Sequence, residues 1–223
     1  MIQGFSDYEK TEVNEFGDVE RLKLGGHICK VLGVEVEQVT SQKDGSTWNV
    51  LKIKFDIEEP DEQAGFYNRK FTEAAKKDAL NAKWKGYHRL TIPNNDSPDY
   101  AKTAWKTFLT SIEKSNPGVQ INGNTGFDEN ILIGKLFGGV FGLEEFTLPT
   151  DGKLITFSRI RFIRSIEKIE EAQIPNVKLL DGTYVKYEEY IDKKEQEKEN
   201  EGKMAENNST DASTIGDDDD LPF

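Results

Sequence analysis

The alternation of apolar and polar residues predicts a chain built mostly of β-strands. Residues from Gly26 to Val36 are rich in Val, Ile and Leu, and the Asp-Gly turn within residues 41–47 leads into a second strand. One face of the second strand carries Leu51, Ile53, Phe55 and Ile57. Its other face carries Trp48, Val50, Lys52 and Lys54. We therefore expect the first face to pack on the core and the second to lie on the surface.

The remaining pattern predicts three more strands and one helix. A third strand runs from Tyr87 to Ile92, and two others cover residues 131–141 and 153–166. The predicted helix has Ser97 as its N-cap and Pro98 in its first position, and it ends within residues 115–118. Its apolar residues recur at helical spacing: Ala101, Ala104, Trp105, Phe108, Leu109 and Ile112. We expect a mainly β fold of the α+β class.

The order of these elements is strand, strand, strand, helix, strand, strand. This is the order of the OB-fold, a five-stranded, partly open barrel that often holds oligonucleotides. Within residues 131–142, four glycines fit a bulge or sharp bend where such a barrel closes. We assign this domain to residues 21–170, with a flexible N-terminal arm at 1–20 and an extension at 171–191 that packs on the body.

The C-terminal part of the chain is strongly acidic. The net charge is −12, and residues 192–223 hold 11 acidic and 4 basic side chains. With almost no large apolar residues, segment 192–216 cannot offset its ordering entropy and is expected to be a disordered linker. The body is only mildly acidic, so any DNA site in it must be a local basic patch.

Catalytic motifs are not evident. Residues 134–139 lack the spacing of a phosphate-binding loop, and His27 and His88 lie in no metal or nucleophile motif. We expect no enzyme activity and no cofactor. The single cysteine, Cys29, fits a reducing compartment, and neither a signal peptide nor a membrane-spanning run is evident. We therefore expect a cytoplasmic protein that does not enter membranes.

A basic, aromatic block spans residues 66–89. It holds seven Lys or Arg residues against Glu73 and Asp78, interleaved with aromatic residues. Single strands are bound by this mixture, because bases stack on aromatic rings while cations follow the phosphates. With cations and Trp48 from other strands, the candidate DNA-binding residues are Trp48, Lys52, Lys54, Tyr67, Arg69, Lys70, Phe71, Trp84, Lys85, Tyr87, Arg89, Arg159 and Arg161.

The last seven residues form a candidate partner-binding tip: Asp217, Asp218, Asp219, Asp220, Leu221, Pro222 and Phe223. Proline restricts the chain, the terminal aromatic can fill a pocket, and the carboxylates can meet a basic rim. This ending resembles the acidic tip of bacterial single-stranded DNA-binding proteins. The resemblance implies that replication, recombination and repair proteins dock on the tip.

Two segments of the body resemble proteins encoded in the replication modules of phages that infect Gram-positive bacteria. They are Glu113-Lys114-Ser115-Asn116-Pro117-Gly118 and residues 134–142. The resemblance implies protection of single-stranded DNA during phage replication or recombination inside the bacterial host cell. We also expect a homo-oligomer, either a dimer or a tetramer.

Two other functions fit the same sequence. A recombination mediator or strand-annealing protein would bind similar DNA but pair complementary strands. An adaptor would use the tip to capture host replication proteins without touching DNA. Annealing and DNA-binding measurements separate these functions.

Overall fold

The computed structural model of the chain describes residues 20–42, 44–148 and 152–197. Its strands are β1 (Gly25–Thr40), β2 (Thr47–Ile57), β3 (Tyr87–Thr91), β4 (Leu136–Thr147), β5 (Leu154–Arg164), β6 (Val177–Lys178) and β7 (Tyr184–Val185). Its α-helices are α1 (Phe66–Lys77), α2 (Asp99–Ser115) and α3 (residues 187–197). Two short 3-10 helices cover Glu129–Leu132 and Ile169–Glu171.

One open sheet contains all seven strands. The long strand β1 pairs with β4 through its first half and with β2 along most of its length. β3 continues the sheet from β2, and β5 continues it from β4, all in antiparallel pairs. In the described residues β3 and β5 are therefore the two outer strands of the five long ones. The short strand β6 pairs with β4 near Glu144 and with β7.

The mainly β, mixed character of the chain is confirmed, but the expected single helix is wrong. α1 was missed because its large apolar residues, Phe66, Tyr67 and Phe71, are few and seven of its 12 residues are polar or charged. α2 ends at Ser115 as predicted, but Pro98 rather than Ser97 is its N-cap. The Ser97 hydroxyl instead donates to the side-chain oxygen of Asn94 at 2.9 Å.

The core lies between the inner face of the sheet and α2. All four residues of the predicted core face of β2 are at most 1% exposed, which confirms that face: Leu51, Ile53, Phe55 and Ile57. The prediction was wrong for Val50 of the other face, which is 5% exposed and therefore buried. Phe108 and Ile112 of α2 pack against them with no exposed surface, together with Phe137 from β4. Apolar burial on this scale is the main driving force for folding.

A buried carboxylate joins β2 to α1. The N-cap of α1 is Gly65, at φ 75°, which offers no side chain to the first turn of the helix. Asp56, only 6% exposed, takes that role from the neighbouring strand. Its carboxylate accepts from the backbone N–H of Tyr67 at 2.8 Å and of Asn68 at 3.1 Å. A negative charge here also complements the positive end of the helix dipole.

The chain after β5 packs along the outer side of β4. Ile169 lies over Gly138, where a Cβ atom would be 2.7 Å from the Ile169 side chain. Val177 is fully buried and Tyr190 is 6% exposed. The helical residues 192–197 fall in the segment expected to be disordered, and the rest of that segment lies outside the described residues, as does most of the N-terminal arm. No described helix has the length and apolarity needed to cross a bilayer.

Replacing Asp56 by Ala should destabilise the protein. The change leaves the amides of Tyr67 and Asn68 without their acceptor, and we expect the free energy of unfolding to fall by about 1–3 kcal/mol. Urea denaturation at neutral pH measures this difference. Asp96→Ala, at an exposed position before α2, is the matched control and should change stability little. Equal stability of the two variants would contradict the capping role.

Candidate nucleic-acid interface

Strand register places four candidate side chains together on the outer face of β2 and β3. Lys52 lies opposite Arg89, and Lys54 lies opposite Tyr87. Because Leu51, Ile53 and Phe55 point into the core, the residues between them point outward. Trp48 lies on the same outer row of β2, and Trp84 precedes β3. We call this surface the β2–β3 face: Trp48, Lys52, Lys54, Trp84, Tyr87 and Arg89.

Cations and rings alternate along the β2–β3 face. The Lys52 ammonium lies 5.1 Å from the centre of the Tyr87 ring, and the Lys54 ammonium lies 4.5 Å from the Trp84 ring. Phe71 of α1 extends the row, with its ring centre 5.9 Å from that of Trp84. Tyr87 is 41% exposed and Trp48 is 38% exposed. Both of these rings are accessible to a stacking partner.

Trp84 also has a structural role. Its indole N–H lies 3.3 Å from the carbonyl oxygen of Phe55 and 3.1 Å from that of Gly86. Gly86 is required at this point, because a Cβ atom would lie 2.3 Å from the Phe55 oxygen. The Trp84 ring is half-buried and packs against the core. Tyr87 and Trp48 are therefore the better candidates for stacking.

Two glutamates of β1, which the sequence-based prediction missed, neutralise part of this face. Glu37 accepts from Lys52 at 2.7 Å and from Arg89 at 3.3 Å, and Glu35 lies 3.2 Å from Lys52. The hydrogen bond from Lys52 holds the pKa of Glu37 below its usual value, and the same pair raises the pKa of Lys52. The signal was available, since Glu35 and Glu37 alternate with Val34 and Val36 along β1.

Lys54 and Lys85 remain without a carboxylate partner. Neither forms an ion pair with any residue that the structure describes. Lys85 is exposed and lies between Trp84 and the start of β3. These two ammonium groups can therefore bind a phosphate without first breaking an ion pair with a described residue.

Arg159 and Arg161 belong to a different cluster, on the outer side of β4 and β5. Glu144 lies 2.8 Å from Arg159, 3.4 Å from Arg161 and 2.7 Å from Lys178. Burial alone would raise the pKa of Glu144, but hydrogen bonds from Lys178 and Arg159 lower it below its usual value. The Arg161 guanidinium also stacks on Tyr184, 5.5 Å from the ring centre. Arg161 and Lys178 thus help to hold the C-terminal extension on the sheet, whereas Arg159 pairs with Glu144 of the neighbouring strand.

The other candidates of the basic block lie on α1. Tyr67 is 9% exposed and packs edge-on against Phe55, so it is a core residue and cannot stack on a base. Arg69 pairs with Glu20 at 2.6 Å, and Lys70 lies 3.4 Å from Glu73. Among the described contacts, the ring of Phe71 packs against Trp84 of the β2–β3 face.

A metal site is not evident in the described ranges. No group of three or more His, Cys, Asp or Glu side chains there could hold a metal ion. The tip, Asp217–Phe223, lies outside the described residues.

Comparison with known proteins leaves the family open. No family model matches the chain, and no curated protein matches it at a significant level. The function proposed below is therefore inferred from the β2–β3 face and from the sequence of the tip.

Proposed function

We propose that this chain binds single-stranded DNA on the β2–β3 face, with little sequence preference and without catalysis. The observation that carries the proposal is the alternation of cations and exposed rings on one strand pair. Bases would stack on Tyr87 and Trp48, each contact contributing roughly 1–3 kcal/mol. Phosphates would be held by Lys54, Lys85 and Arg89, which lie beside those rings.

The strand arrangement supports an OB-type barrel with one open side. β1 pairs with both β2 and β4, and α2 lies in the chain between β3 and β4. These connections are consistent with an OB-fold, in which the face of strands two and three binds oligonucleotides. β3 and β5 are not paired with each other. We interpret the gap between them as the open seam of such a barrel. The candidate site then coincides with the binding face of that fold.

The acidic tip gives the proposed protein a second activity. DNA held on the body would leave Asp217–Phe223 free to dock replication or recombination proteins, as the resemblance to bacterial tips implies. From the resemblance of the body to phage proteins, we infer that this role serves phage replication or recombination within a bacterial cell. Assembly into a dimer or tetramer would position several tips around one DNA strand.

The DNA-binding proposal is tested by fluorescence titration with oligo-dT at moderate salt. Tyr87→Ala should weaken binding on the order of tenfold because it removes a stacking surface. Lys54→Ala should weaken binding and reduce the slope of log affinity against log salt by about 1. Leu80→Ala and Lys186→Ala are matched controls at exposed sites that are not among the six residues of the face, and they should bind like the wild type.

Failure of the wild-type protein to bind oligo-dT at micromolar concentration would contradict this function and favour the adaptor. Binding combined with faster pairing of two complementary labelled oligonucleotides would favour the strand-annealing protein instead.

Removal of Asp217–Phe223 should separate the two activities. A chain that ends at Gly216 should lose binding to a host protein that docks on bacterial single-stranded DNA-binding tips, as measured by calorimetry. Its DNA affinity should stay the same or rise slightly, since the acidic tail competes with phosphates for the basic face. Phe223→Ala should reproduce the loss of partner binding. A tailless chain with weakened DNA binding would contradict this division of roles.

A further inference from the structure

A cleft of about 540 Å³ separates β3 from β5 above the N-terminal half of α2. This volume lies within the range of about 300–1,000 Å³ that is usual for small-molecule sites. The floor is apolar and includes Leu90, Ala101, Ala104 and Ile160. The two strands that border the cleft are not paired with each other, so the opening is part of the sheet topology.

Two exposed aromatic rings border this cleft. Tyr100, from the first turn of α2, is 78% exposed, and Phe162 of β5 is 62% exposed. Each ring lies among residues that line the cleft, yet most of its surface faces solvent. Exposed rings of this size at the edge of an apolar floor suit a flat, stacking ligand.

The charge of the cleft favours an anionic ligand. Among the residues that the structure describes, its lining contains Arg89 from β3 and Arg161 from β5 but no Asp or Glu. This is a marked local bias in a chain with a net charge of −12. Arg161 is committed to Glu144 and Tyr184, whereas the Arg89 side chain is 59% exposed and contacts only Glu37 among the described carboxylates. Of the two arginines, Arg89 is therefore the one that can exchange its carboxylate partner for a phosphate of the ligand.

His88 adds an unused polar group to the lining. Its imidazole forms no hydrogen bond with any residue that the structure describes. Burial, with a smaller contribution from Arg159, lowers the pKa of His88 to about 4. The ring is therefore neutral at physiological pH and offers one donor and one acceptor, which is what the edge of a nucleobase requires.

The cleft is continuous with the β2–β3 face through β3. Arg89 lies on that face opposite Lys52 and also lines the cleft. Tyr87 on the face and His88 in the cleft are neighbours in sequence, on the two sides of the same strand. A DNA strand that crosses β2 and then β3 therefore reaches the cleft on the far side of β3.

We propose that this cleft is a subsite for one nucleotide of the bound single-stranded DNA. The base enters the cleft and stacks against Tyr100 or Phe162, and its phosphate is held by Arg89. The inference rests on the proposed DNA-binding function. It extends the path of the DNA from the β2–β3 face to the gap between β3 and β5. An extended peptide added to the free edge of β3 or β5 is the competing occupant, but it would not require the arginines or the absence of carboxylates.

Photo-crosslinking of the wild-type chain tests the placement directly. Oligo-dT that carries 5-iodo-deoxyuridine at successive positions is irradiated in complex with the full chain, and cross-linked peptides are mapped by mass spectrometry. We expect cross-links at Tyr100 or Phe162 in addition to those at Trp48, Trp84 or Tyr87. Binding with cross-links on the β2–β3 face alone would overturn the subsite.

Affinity measurements give an independent readout. Tyr100→Ala and Phe162→Ala should together weaken oligo-dT binding on the order of tenfold, while Leu80→Ala has no effect. Circular dichroism and thermal denaturation establish that the exposed substitutions leave the fold intact. Wild-type affinity in the double variant would overturn the subsite but leave the β2–β3 face in place, consistent with a peptide in the cleft. Absence of any DNA binding by the wild type would instead refute the proposed function itself.

Discussion

The alternation of side chains along β2 is the constraint on which the rest of the site depends. Its inward row is sealed in the core, so Lys52 and Lys54 must project outward beside β1 and β3. The same outward row ends at Asp56, whose carboxylate caps α1. That helix then holds Phe71 against Trp84, and Trp84 in turn lies under Lys54. One strand thus organises both the core and the candidate interface.

Charge balance shapes what the interface can do. Glu37 accepts from Lys52 and Arg89, so a phosphate must compete with an internal carboxylate for these two cations. Lys54 and Lys85 carry no such partner among the described residues. Glu144 of β4 similarly occupies Arg159 and Arg161 of β5. The protein therefore combines an overall acidic charge with a narrow row of available cations, and ring stacking supplies the remainder of the proposed affinity.

Sequence patterns predicted what depends on local periodicity. The two faces of β2 and the body of α2 follow from spacing alone, because burial of one face requires that spacing. α1 was missed because its first turn is stabilised by Asp56 from the neighbouring strand and by burial of Phe66 and Tyr67, which sequence spacing does not reveal. The pairing of Arg159 with Glu144 and the cleft between β3 and β5 are long-range features, set by sheet register. Tyr67 entered the candidate set because composition does not distinguish a core ring from an exposed one.

The most direct measurement is residue-resolved NMR of the full chain during titration with oligo-dT. If DNA binds on the β2–β3 face, the largest amide chemical-shift changes should occur in residues 48–54 and 84–91. Smaller changes should occur around Glu35 and Glu37, because Lys52 and Arg89 exchange these carboxylates for phosphates. Changes confined to α1, or to the outer side of β4 and β5 around Glu144, would contradict this placement of the DNA.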